Sequence, residues 1–482
     1  MSDGATAGAG SAPVGGTSPG GGSHGGRVLV VGGGLAGIAA ALDCAQAGMD
    51  VTLVEVRRRL GGAAYSFERD GLQLDNGQHV FLRCCVAYRA LLARLGSERL
   101  TAVQPRLAIP VLKPGHAPVL LWRGSLPAPA HLAGALARYP HLSLVERLGA
   151  ARAALGLMRL DPADESLDEQ TFGEWLARRG QGPRALAALW DLVALPTLNL
   201  PAAQASLALA AFVFRTGLLS GADAGDIGFH VGTLSQIIGE PAARALGEAG
   251  VEVRLGWRAE RLERTGSGVE VHGRDEALEA DAVVLAVPHT RASTLLEPLL
   301  GEPARALLEL GGSPIVNLHV VYDRPVCDEP FAAGVGTPVQ YVFDRTAAAG
   351  APAGCQYLAV SLSGADREMQ MSVDALRERY LPALRELFPR ARQTKVEAFM
   401  ATREHAATFR AVPGVARLRP GPVTGVPGLV LAGTWTATGW PATLESAVLS
   451  GHSAAAVVTR SLGGAAATRQ AVAGGLGAAA AS

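Results

Sequence analysis

Short apolar runs recur at Arg27–Val31, Val51–Val54, Ala282–Val287 and Leu429–Ala432, each bounded by glycine, proline or a charged residue. Runs of this length, rich in valine and leucine and not alternating with polar residues, predict strands buried on both faces. Between the first two lies an alanine-rich stretch of helical pattern that extends to about Ala47 and stops at Gly48. Strand, helix, strand in that order predicts an α/β chain with a parallel sheet. The remaining runs lie far along the chain. If all four share one sheet, the stretches between them form a second, inserted domain.

One segment reads differently. Leu192 to Phe214 carries no charge over 23 residues, a length that can span a bilayer. Pro196, Asn199, Pro201 and Gln204 interrupt its first half. What remains is an apolar helix expected over Pro201–Phe214, in length a buried or tunnel-lining element, with shallow membrane contact as the alternative. The stretch 131–160 is rich in arginine and helical in pattern. Its two readings are an ordinary amphipathic surface helix and a basic face toward anionic lipid.

Composition narrows the partners. The chain has 482 residues, 49% hydrophobic and 18% charged, with 43 basic against 43 acidic side chains. That length allows two or three domains. The balance of charge excludes a disordered polyelectrolyte and a nucleic-acid binder steered by net charge, and it points to a neutral or apolar ligand. Lys113 and Lys395 are the only lysines, so Schiff-base chemistry has two candidates. Five cysteines, none in a CxxC pair, argue for a reducing, cytosolic compartment and against a structural metal site.

The first apolar run leads into Gly32-Gly33-Gly34-Leu35-Ala36-Gly37, and the second ends at Glu55. Gly32 permits a tight turn, Gly34 lets backbone approach a pyrophosphate, and Gly37 lets helix and strand pack closely. Leu35 and Ala36 then open a helix whose N-terminus faces phosphate, and Glu55 is placed to accept from a ribose hydroxyl. Strand, glycines, helix, second strand and acid together make a strong dinucleotide signature.

Past the acid, Arg57-Arg58-Arg59-Leu60-Gly61-Gly62 adds a second glycine turn and resembles the extension found in flavoproteins with two dinucleotide-binding domains. Val253, in GVEVRLGWRAERL, matches the strand whose backbone meets adenine in that class. LAGTWTATGWPATLESAVLSGHSAA (431–455) adds a strand, the Gly433-Thr434 turn, a loop holding Thr438 and Trp440, and a helix expected to begin near Ala442 and Thr443. With the N-terminal unit, this segment is similar to the superfamily of flavin amine oxidases and phytoene desaturases. LDNGQHVFL (74–82), VYDRPVCDEPF (321–331), VQYVFDR (339–345) and TATGWPATLESAV (436–448) resemble its hydroxysqualene dehydroxylase branch, from hopanoid biosynthesis.

The resemblance covers about residues 27–460. It implies noncovalent FAD and a Rossmann-like FAD-binding domain with an inserted α+β substrate domain. The expected division is a disordered tail over 1–26, FAD-binding parts over 27–105, 226–300 and 421–462, a helical substrate part over 106–225, its sheet part over 301–420, and a disordered tail over 463–482. The chain departs from the superfamily at Ala63, where arginine is frequent, and at Thr434, where aspartate is. Asn317 and Thr443 stand where amine oxidases place a lysine and a tyrosine, which disfavours an amine substrate.

The implied reaction delivers hydride from reduced FAD to the carbon of hydroxysqualene that loses hydroxide, giving squalene and water. It requires a proton or hydrogen-bond donor for the departing oxygen and a dry tunnel. Donor candidates lie in the cluster Asp75-Asn76-Gly77-Gln78-His79: His79 first, then Gln78 as an orienting donor, and Asp75. The alternative is a loop whose Asp and Asn satisfy backbone groups. His319, Tyr322 and Tyr341 are further donors, more simply read as packed strand residues. Arg345, Arg403 and His405 are assigned to solvated surface, and Cys84 and Cys85 to small buried hydrophobes. Two other function classes fit the fold: an oxidative isoprenoid desaturase such as a carotenoid or phytoene desaturase, and a non-catalytic prenyl carrier. Intact flavin-binding glycines argue against the carrier. The electron donor is not legible, and membrane contact, if any, is expected to be peripheral, on the inner face.

Overall fold

The computed structural model describes residues 25–479 apart from Ala163 and Ser267, with side chains as far as Gly463. The expected N-terminal tail therefore falls outside the described residues up to 24. From 463 onward the expected tail continues as helix, which spans Leu444–Ala479. The alanine that makes this stretch low in complexity is also the residue of highest helix propensity.

All four apolar runs join one five-stranded sheet, with Glu252–Leu255 as its fifth member. The order across the sheet is 252–255, 50–55, 27–31, 282–285, 429–431, every pair parallel. Val28 to Val31 are at most 3% exposed, as a central parallel strand covered on both faces requires. The Leu35–Gln46 helix and the C-terminal helix cover one face together. They meet at Gly451, where a Cβ would stand 2.3 Å from the Ala36 carbonyl oxygen and 2.9 Å from the Ala39 Cβ.

The inserted domain is built on a seven-stranded sheet in the order 396–408, 313–322, 356–363, 341–344, 331–334, 108–112, 119–122. Its last two strands, a hairpin, come from the portion grouped with the helices by chain position. Parallel pairing of Ala333 with Val111 draws them into the sheet, a contact across more than 200 residues that local pattern does not carry.

The uncharged stretch also folds differently from the simplest reading. Pro196 lies inside a helix, Asp191–Leu198, and the break comes at Asn199 in left-handed conformation. Tertiary bonds fix that break: the Asn199 amide donates to Ser313 O at 2.9 Å and its carbonyl accepts from Gly364 N at 2.7 Å. The apolar helix is Leu207–Phe214, shorter than the expected Pro201–Phe214, because Ser206 caps it by accepting from Leu209 N. All of it is buried except half-buried Phe212. Among the described residues no helix is long and apolar enough to cross a membrane.

Gly451→Val is expected to lower unfolding free energy by about 3 kcal/mol, because the two helices cannot move apart without opening the core beneath them. Denaturant titration checks this, and a loss below about 0.5 kcal/mol would show that the helices separate freely.

Candidate active site

The carboxyl ends of the parallel strands form one edge, the place where open α/β sheets bind ligands. Gly34 precedes the Leu35–Gln46 helix, and no side chain caps that helix end. The first-turn amides of Leu35, Ala36 and Gly37 thus face outward with the positive end of the helix dipole. A Cβ on Gly37 would stand 1.9 Å from Gly32 O, and one on Gly62 would stand 2.7 Å from the Gly34 Cα. The two glycine turns touch backbone to backbone, which leaves a bare cleft of peptide groups. Glu55 closes its floor, accepting from Gly33 N at 2.7 Å and Arg57 N at 2.8 Å. A carboxylate has lone pairs beyond these two for ribose hydroxyls. Arg57 and Arg59 donate to Gly62 O at 2.9 and 3.1 Å and so hold the Gly61–Gly62 turn. Val253 pairs with Leu53, and it is Leu255 that stands level with Glu55. Val253 is therefore two residues short of the edge.

The cluster 75–79 docks on the second glycine turn through Asn76. Its amide donates to Ala63 O at 2.9 Å and to Glu404 Oε1 at 2.8 Å, and its carbonyl Oδ1 accepts from Tyr65 N at 3.2 Å. Its backbone carbonyl accepts from Asn317 Nδ2 and Thr402 Oγ1. Because Thr402 spends its proton there, it accepts from His319 Nε2, and His319 Nδ1 accepts from the Tyr357 hydroxyl at 2.6 Å. Burial pulls His319 down to about 4, so it stays neutral. Asp75 is wholly engaged by Ser66, Leu234 N and Arg345. Arg345, assigned to surface from sequence, is a half-buried partner, its side chain 12% exposed, whose guanidinium also reaches the His230 and Gly232 carbonyls. An Asp carboxylate in the interior requires such a cation. Arg403 is half-buried and donates to Met371 O, whereas His405 is exposed.

Two donors remain. The Gln78 Nε2 is buried without a hydrogen-bond partner, as is the Asn317 Oδ1. His79 Nδ1 lies 3.1 Å from Gly77 O, so Nδ1 carries the proton and Nε2 gains one only in the imidazolium. Burial pushes His79 below the ordinary imidazole range. The site of a Cβ on Gly77 lies 3.2 Å from Asn317 Nδ2 and 3.8 Å from His79 Cε1, which places both side chains around this glycine. Tyr341 commits its hydroxyl to Leu192 O at 2.7 Å. Tyr322 lies on the opposite face of the sheet, among Leu376, Tyr380 and Leu384.

The C-terminal loop completes the edge. Gly433 follows its strand and donates to Ser450 Oγ, and Thr438 Oγ1 bonds Ser446 Oγ at 2.7 Å. The helix begins at Leu444, two residues later than Ala442, because Thr443 Oγ1 accepts from Ser446 N and acts as its cap. Trp440 packs edge-on against Phe212 at 5.0 Å. Arg419 was not singled out from the sequence. It is 7% exposed and donates to the Thr434 and Thr436 carbonyls at 3.2 and 2.5 Å. Burial pulls it down to about 10, still a cation at neutral pH. Its only sequence signal was position, as the last charge before an uncharged stretch that ends at Glu445. Glu445 itself accepts from Ala87 N and Tyr88 N.

A model of the flavin containing amine oxidoreductase family matches residues 35–459. The chain belongs to that family. Proteins named hydroxysqualene dehydroxylase are similar to this chain over nearly their whole length. That of Rhodopseudomonas palustris is 32% identical over 445 residues, covering 89% of this chain and 98% of the relative. That of Sinorhizobium fredii is 30% identical over 440 residues, covering 89% and 97%. Among solved structures, putrescine oxidase bound to putrescine superposes with a TM-score of 0.70 at 20% identity, covering 90% of this chain and 98% of that one. As a flavin containing amine oxidoreductase, this chain is an FAD-dependent oxidoreductase. The bare cleft, the uncapped helix and the buried acid fit a dinucleotide's phosphates and ribose.

Gly34 tests that fit. A Cβ there meets nothing nearer than the Gly62 Cα at 3.7 Å, so Gly34→Val should leave stability within about 1 kcal/mol of wild type. It should nevertheless abolish flavin absorbance in the purified protein, since the side chain fills the cleft. Retained flavin at wild-type stoichiometry would move the pyrophosphate elsewhere.

Proposed function

We propose that the chain removes the hydroxyl of hydroxysqualene, releasing squalene and water, at the face of its flavin. The observation that carries the reading is the pair of unmet buried groups, Gln78 Nε2 and Asn317 Oδ1, beside the segment that also holds His79. An orphaned buried polar group costs about 1–3 kcal/mol, which a bound hydroxyl recovers by accepting from Gln78 and donating to Asn317. Similarity to hydroxysqualene dehydroxylases supports that substrate, and the absence of lysine at Asn317 and of tyrosine at Thr443 fits a substrate that is not an amine.

When bound and reduced, the flavin supplies the hydride that replaces the departing oxygen at carbon. The residues of the chain act on the oxygen. Hydroxide leaving into an apolar cavity is prohibitive unless protonated or strongly hydrogen-bonded. Gln78 holds the oxygen without titrating, and His79 passes a proton through Nε2 from its charged form. Asn76 fixes the segment that carries both. Asp75 and Arg345 neutralise each other beneath it and serve positioning. A substrate drawn from a bilayer further supports peripheral association with the membrane surface.

In single-turnover reoxidation of the reduced flavoprotein by hydroxysqualene, His79→Ala is expected to slow the step by about 10² to 10⁴ with flavin content unchanged. Gln78→Leu should slow it about tenfold to a hundredfold, by one hydrogen bond to a developing charge. The pH profile separates the roles. A proton from His79 makes the rate rise as pH falls from neutrality through its depressed pKa, then level off. A flat profile with wild-type turnover in His79→Ala would leave Gln78 as sole donor.

A further inference from the structure

Helix Leu144–Leu157 packs Ala150, Ala153 and Leu157 against the core, at 2, 0 and 0% exposure. Its outer face is unusually apolar. Leu144 is 69% exposed, Val145 78%, Leu148 64% and Leu155 52%, side chains that recur at helical spacing on one ridge. Contiguous exposed apolar surface of this kind marks a contact site. The one carboxylate of this helix, Glu146, is held by Ser143 and Arg184.

The ridge runs into a surface cleft lined by Arg152, Leu155, Gly156, Arg159, Arg178 and Arg179. Four guanidiniums thus share a cleft that, among the described residues, has no carboxylate in its wall. Arg179 is fixed, stacked on Trp175 at 3.6 Å and donating to Trp175 O at 3.0 Å. Four like charges held together call for an anion with several oxygens, and arginine forks match phosphate. Directly behind, Trp175 packs on Phe172, Phe172 on Phe214, and Phe212 of the same helix on Trp440. An unbroken apolar body therefore connects this surface to the flavin loop.

We propose that this face is a docking site for an anionic phospholipid bilayer: Leu144, Val145 and Leu148 enter the interface while the arginine cleft takes a lipid phosphate. The pairing of apolar ridge with unneutralised cations selects lipid over a second copy of the chain, whose own clefts would repel. The proposal rests on the foregoing reading only for the lipid nature of the substrate, and its test uses no substrate, so that either reading fails alone.

The full-length flavoprotein should co-sediment with vesicles of equal parts phosphatidylglycerol and phosphatidylcholine, less as salt is raised, and not with phosphatidylcholine alone. R152Q/R159Q should lose tenfold or more of that affinity, about a factor of five per cation. V145S/L148S should lose a similar factor, with both variants melting as wild type because the sites are exposed. Equal binding to neutral vesicles, or no binding to either, overturns the proposal. So does a solution dimer split by V145S/L148S, which would make the ridge a self-interface, or displacement by polyglutamate without vesicle binding, which would point to an acidic protein.

Discussion

Backbone meeting backbone without intervening side chains is the constraint on which this molecule rests. Gly37 against Gly32, Gly62 against Gly34 and Gly451 against Ala36 bring first strand, first helix, second glycine turn and last helix into one seam. Each contact would be closed by a single Cβ. The seam does two things at once: it packs the helices close to the sheet, and it leaves peptide N–H groups as the lining of the cleft. The pyrophosphate of a dinucleotide cofactor needs that lining.

The helices of the second domain share an apolar core with the parallel sheet, while its seven-stranded sheet meets this seam through polar contacts. Asn76 joins Ala63 and Tyr65, just past the glycine turn, to Asn317, Thr402 and Glu404 of the seven-stranded sheet. Asp75 and Arg345 make a second, ionic tie. Such contacts have directions and lengths, so they set the distance and angle between the domains more sharply than apolar packing would. Beside these contacts, Gln78 Nε2 and Asn317 Oδ1 are among the buried polar atoms of the described residues that have no hydrogen-bond partner.

Burial also fixes protonation states. His230 is pulled down to about 3 and accepts from the Tyr88 hydroxyl, while its Nδ1 donates to His79 O. His319 is likewise neutral. His79 differs in having one ring nitrogen without such a partner chain, and that difference, more than its pKa, distinguishes it from its neighbours.

What the sequence determined by itself was local and periodic: the buried strands, the glycine turns, the acid at Glu55 and the first helix follow from patterns within about 30 residues. Glycine at a close approach and apolar residues in a central strand have few physical alternatives, so they read plainly. Tertiary structure decided what depended on distant partners. The hairpin at 108–122 became sheet because Val111 met Ala333, and the uncharged stretch broke at Asn199 because Ser313 and Gly364 held it. Arg345 and Arg419 look like surface cations in sequence, since nothing in a single chain position reveals the Asp75 carboxylate or the Thr434 and Thr436 carbonyls that desolvate them. The proton on His79 Nδ1 was set by a hydrogen bond to Gly77 O, a choice made by backbone geometry rather than by residue type.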